Sequence, residues 1–80
     1  MDAKLDHIKE EILAALQHPE AEEGLYFHNL RYVFEEEERP VVSGHELDVL
    51  EALRQLVVDG QVVTDESGDE VVFFLKSAVH

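Results

Sequence analysis

Few groups in this chain are able to do chemistry, and their spacing narrows what that chemistry is. His7 and Glu11 stand one helical turn apart, a separation that would let both reach one divalent cation if a third ligand came from elsewhere. No second histidine stands at the spacing of a strong zinc motif, so a solvated pair with at most a small helix-surface attraction is the simpler reading. His18 and His80 fall at a helix end and at the chain end, and His28 reads as a partly packed residue near a helix start. Glu35 to Glu38 supply adjacent carboxylates, but an exposed run of like charge is usually solvated rather than tuned for proton transfer. Ser43 and Ser67 are claimed by a cap and a turn, and neither a phosphate-cradling glycine loop nor a nucleophile elbow is present. These residues lead to the expectation of a protein that is not an enzyme and that uses no metal or cofactor.

The elements that must position these groups belong to one small domain spanning residues 1–80. A chain of 80 residues buries only about 60 to 65% of the surface its unfolded form exposes, so its stability margin is thin. With 45% hydrophobic and 31% charged residues it is nevertheless too apolar for disorder. It has no cysteine, which removes disulfide and thiolate chemistry and fits a cytoplasmic location. No run approaches the roughly 18 apolar residues of a membrane span, and "MDAKLDHIKEE" lacks the layout of a signal peptide.

Hydrophobic periodicity divides the chain. From Ala3 to His18 the residues Leu5, Ile8, Ile12, Leu13 and Leu16 recur at spacings of three and four, the pattern of an amphipathic helix that ends where Pro19 disfavours the α conformation at His18. In "LYFHNLRYVFEEEERP", Leu25, Tyr26 and Phe27 have the types of a short strand, while Phe27, Leu30, Val33 and Phe34 keep helical spacing; the spacing predicts a helix from about Tyr26 to Glu37. Four glutamates would then lie at its carboxyl end, where the negative pole of the macrodipole frays the last turn. Ser43 followed by Glu46 has the form of a capping box, and Val42 with Leu47 the spacing of a hydrophobic staple. Leu47, Leu50, Leu53, Leu56 and Val57 form the expected buried stripe of this third helix, and Gly60 its left-handed stop. Gln61 to Thr64 and Val71 to Leu75 then read as a β-hairpin around Ser67 and Gly68.

Three helices followed by a hairpin, with Leu53, Leu56, Val57, Gly60 and Val62 marking the passage from last helix to first strand, resemble the winged helix-turn-helix superfamily. The resemblance implies an α+β fold: a small winged-helix domain of three helices and a two-stranded C-terminal β-hairpin wing. It further implies that His45, Glu46, Asp48, Val49 and Ala52 would face a DNA groove and that residues 65–70 would form the wing tip.

Charge argues against that usual role. Six Lys and Arg stand against 19 Asp and Glu, a formal net charge of -13 that repels phosphate backbones and attracts basic partners. Glu46 and Asp48 suit the amino-terminal end of a helix, whose dipole favours carboxylates, but Glu51 lies too far along for that. The leading expectation is a protein-interaction module that meets a basic protein surface or a second copy of itself. Asp48, Glu51, Asp65, Glu66, Asp69 and Glu70 would steer the encounter, and Tyr26, Tyr32 and Phe74 would add contact area. The alternative is a transcriptional regulator that touches DNA through His45, Arg31, Arg39 and Arg54; a third reading makes the acidic surface a mimic of DNA.

Overall fold

A computed structural model describes residues 3–76. Helix α1 runs over Ala3–Gln17 and stops two residues before Pro19, with His18 extended and its Nδ1 accepting from the Glu20 amide at the head of a short 3-10 turn, Pro19–Ala21. Strand β1, Leu25–Tyr26, leads directly into helix α2, Phe27–Arg31. A long connection follows before helix α3, Glu46–Val58, and strands β2, Val62–Asp65, and β3, Val72–Leu75, complete the chain.

The architecture is α+β, with three α-helices and an antiparallel sheet of order β1-β3-β2. The sheet therefore has three strands rather than the two of a simple hairpin. Leu25 and Tyr26 pair with Phe73 and Val72, and β2 pairs with β3 from Val62↔Leu75 to Asp65↔Val72. What makes the third strand possible is Gly24, whose φ of 92° carries the chain out of the 3-10 turn and whose missing side chain leaves room for Val72 and Phe74.

The core lies between the helices. Ile8, Ile12, Ala15 and Leu16 of α1 and Val49, Ala52, Leu53 and Leu56 of α3 are buried in one cluster with Leu25, Leu30, Val42 and Val62. Each large side chain fully buried here contributes about 1.5–3 kcal/mol, which in a domain of this size decides whether it folds. Phe73 and Leu75 of β3 turn toward this cluster, as the period of two requires, while Phe74 turns away. At the end of α3 the Gly60 amide donates to the Val57 carbonyl and the Gln61 amide to that of Leu56, a Schellman closure that feeds the chain into β2.

Three expectations need correction. Helix α2 ends at Arg31, six residues before the expected Glu37: Tyr32 is extended, and the carbonyls at the helix end are met by the Arg39 side chain. The cap of α3 is His45, whose Nδ1 accepts from the Leu47 amide at 3.2 Å, and not Ser43, which instead donates through its hydroxyl to Glu11 at 2.9 Å. The buried stripe of α3 is also rotated: Val49 and Ala52 are inside, whereas Leu47, Leu50 and Val57 are exposed. Val49 and Ala52 join Leu53 and Leu56 in the same buried cluster as the α1 side chains.

Gly24 supplies a sharp test of the third strand. A methyl group there would lie 2.7 Å from Phe74 Cε1 on a backbone that L-residues avoid. Gly24→Ala is expected to lower unfolding free energy by more than about 1 kcal/mol in urea titration. Gly68→Ala, in open space at the hairpin loop, is expected to leave it within about 0.5 kcal/mol.

Candidate functional site

Where the cations go determines which surfaces remain acidic. Arg39 is buried, 3% exposed, and its guanidinium is fully engaged: Nε and Nη2 donate to the Asn29 carbonyl at 3.2 and 3.0 Å, Nη2 to that of Tyr32 at 3.3 Å, and Nη1 to Glu20 and Glu37. Glu20 completes the staple by accepting from the amides of Glu38 and Arg39 at 2.9 and 3.2 Å. Arg39 is thus removed from any cationic surface. Arg54 donates to Glu51 through Nε at 2.9 Å, and Arg31 to the Gly44 carbonyl at 2.8 Å. Lys4 pairs with Asp48 at 2.8 Å across α1 and α3. The arginines expected to serve DNA are each tied to a different part of the protein, and His45 is occupied as a cap.

These contacts sort the acids into two populations. Glu20 has its carboxyl held below the ordinary range by the Glu38 amide and then by Arg39, Glu37 by Arg39, Asp48 by Lys4, and Glu51 by Arg54. Asp65 is lowered by hydrogen bonding from Ser67, whose amide donates to it at 2.9 Å across the hairpin turn. Glu66, Asp69 and Glu70 are exposed and, among the described residues, have no ion-pair partner. The hairpin tip is thus one patch of unneutralised charge, alongside exposed acids such as Glu22, Glu23, Glu35 and Glu36.

Beside the tip lies a concavity formed by Tyr26, His28, Asp65, Asp69 and Glu70, in which the Tyr26 and His28 rings stack with centroids 5.9 Å apart. A second, apolar cleft adjoins it, lined by Phe27 and His28 of α2, Leu50 of α3, and Glu70, Val71 and Phe73 from the hairpin. Leu47 and Val58 extend the apolar character along the outer side of α3, being 67% and 72% exposed. Tyr32 lies on the far side of His28 with Phe27, Arg31 and Glu46. Phe74 is not part of this surface; it is half-buried on the opposite face of the sheet, against Gly24.

Leu47, Leu50 and Val57 are the residues of α3 that reasoning from sequence misplaced. The signal for them was present: α3 carries Leu47, Val49, Leu50, Ala52, Leu53, Leu56, Val57 and Val58, more apolar positions than one helix face accommodates. Some had to face outward.

The histidine–carboxylate pair of α1 meets no third metal-ligating side chain among the described residues. His7 Nε2 is 3.8 Å from Glu11, and Glu11 is otherwise engaged by the Ser43 hydroxyl. No group of three or more metal-ligating side chains converges among the described residues. His80 lies outside the described residues. Among the described residues no helix is long and apolar enough to cross a membrane.

The chain matches no family model, no curated protein and no solved structure.

Two outcomes are expected for the charge network. Replacing Arg39 with Met removes the guanidinium from Glu20, Glu37 and the carbonyls of Asn29 and Tyr32, and is expected to lower unfolding free energy by at least about 2 kcal/mol, whereas Arg54→Met leaves the urea midpoint unchanged. The second concerns pH. Glu37 titrates lower in the folded state than unfolded, so the folded form binds fewer protons in the acid range. Its contribution is complete above the ordinary carboxyl value of about 4.3 and is lost as pH falls through its depressed folded value. The difference in melting temperature between the wild type and Glu37→Gln is thus expected to be full at pH 7 and to close in strongly acidic buffer.

Proposed function

We propose that this chain is a protein-interaction module of winged-helix type, which binds a basic partner through the outer side of α3, α2 and the hairpin. The winged-helix assignment is supported by the order of the elements, three helices and then a hairpin joined to the last helix through the Gly60 stop. The observation that carries the functional reading is the composition of α3's outer side: Leu47, Leu50 and Val58 are exposed there, and the one cation among them, Arg54, is already bound by Glu51. A groove reader takes most of its contacts from phosphates, through cations, amides and hydroxyls. Exposed leucines flanked by unpaired acids instead suit the apolar centre and charged rim of a protein interface.

The acidic rim has a kinetic role. Charges that stay unpaired keep their field, and Glu66, Asp69 and Glu70 would draw a cationic partner toward the leucines, which supply the contact energy. Asp48 and Glu51, paired with Lys4 and Arg54, contribute less to that field than the hairpin tip does.

The reading is tested by measuring both ligand classes on the purified chain. A fluorescent random duplex is expected to show no binding even in low salt, while basic proteins retained from extract on the immobilised chain are released by moderate salt and are not retained by Leu47→Ser/Leu50→Ser. Duplex binding that weakens steeply with salt would overturn the proposal in favour of a DNA-binding regulator. Retention that is indifferent to the double substitution would remove α3 from the interface.

A further inference from the structure

The acidic concavity and the apolar cleft share two residues, His28 and Glu70. We propose that one short partner segment occupies both at once, with an apolar side chain in the cleft and a neighbouring lysine or arginine in the concavity. The inference rests on the interaction reading above and gives it a recognition element: an apolar residue adjacent to a cation.

The linings impose that pairing. Phe27, Leu50, Val71 and Phe73 offer hydrocarbon from three different elements, so an aliphatic or aromatic side chain there is desolvated on several sides. The concavity next to it combines a tyrosine ring with the carboxylates of Asp69 and Glu70, which no cation of the described chain neutralises. An ammonium or guanidinium placed there gains the carboxylates of Asp69 and Glu70 and lies beside the Tyr26–His28 pair. Each depression measures about 450 Å³ (≈ 450 and ≈ 460 Å³), open enough for one side chain with its adjoining backbone. Glu70 stands on the boundary, so the two side chains of the ligand must be close in its sequence.

Charge also selects the occupant. A second copy of this chain brings its own net charge of -13 to the same surface, and Arg31, Arg39 and Arg54 are already engaged within the fold. A basic segment of another protein meets the opposite field. That complementarity favours a heterologous ligand over self-association.

The test uses the full chain, labelled with nitrogen-15, and three capped twelve-residue peptides: one with leucines beside arginines, one with the leucines replaced by serine, and one with the arginines replaced by glutamate. The leucine–arginine peptide is expected to shift the amides of Phe27, His28, Leu50, Glu70 and Phe73, and to bind at least tenfold more tightly than either control. Leu50→Ser and Asp69→Asn/Glu70→Gln, all at exposed positions, are each expected to reduce its affinity at least tenfold, with unchanged circular dichroism. Equal binding of the serine–arginine peptide would overturn the paired-site inference while leaving an acidic interaction module standing. Shifts confined to the 66–71 loop would do the same. Absence of binding by every arginine-bearing peptide, or amide shifts at this surface that appear on concentrating the protein alone, would overturn both the inference and the basic-partner reading.

Discussion

The guanidinium of Arg39 closes the part of the molecule that secondary structure leaves open. Between Arg31 and Glu46 the chain has no helix or strand, yet α3 must arrive against α1 with Val42 already in the core. One side chain reconciles these demands: it meets the carbonyls at the end of α2, pairs with Glu37 within its own connection, and reaches Glu20 in the 3-10 turn, 19 residues away. The Val42 amide then donates to the Leu30 carbonyl at 2.8 Å, locking the connection beside the core. Burying a cation is costly unless its donors are satisfied, and here they are met by two carboxylates and two carbonyls.

That arrangement has a further effect on the surface. A protein with six basic residues that buries one, and commits Arg31, Arg54 and Lys4 to internal contacts, has little positive charge left to oppose its acids. Ion pairing among the described residues falls in the helices, the 3-10 turn and the long connection, and none reaches the hairpin tip, which keeps its charge uncompensated. The same packing that stabilises the fold thereby shapes its electrostatic field.

Much of this organisation was legible in the sequence where it depends on local periodicity. The leucine and isoleucine spacing of α1, its end before Pro19, the glycine stop of α3 and the hairpin all follow from rules acting over a few residues. The short strand at Leu25 was visible only as an ambiguity, because two residues specify a strand only once a partner strand is present. The destination of Arg39 and the use of Ser43 by Glu11 were not legible, since both join segments far apart in sequence. The His45 cap was hidden by a serine–glutamate pattern that fits a capping box, while the geometry put the helix start two residues later. For the candidate site, the acids and Tyr26 were legible from charge and surplus, but the outward turn of Leu47 and Leu50 required knowing which face of α3 meets α1.

Strand β3 is held on both sides along Val72 and Phe73, by β1 and by β2, whereas the loop before it, residues 66–71, belongs to neither ladder. Asp69 and Glu70 therefore sit on a segment whose side chains carry little of the fold, immediately beside one that is fixed to the core through Phe73. Substitutions at Asp69 and Glu70 can alter the charge of this surface without disturbing the hydrocarbon beside it. Surface charge and stability are thus able to drift independently, so that chains sharing this scaffold would diverge first in the charge of that loop.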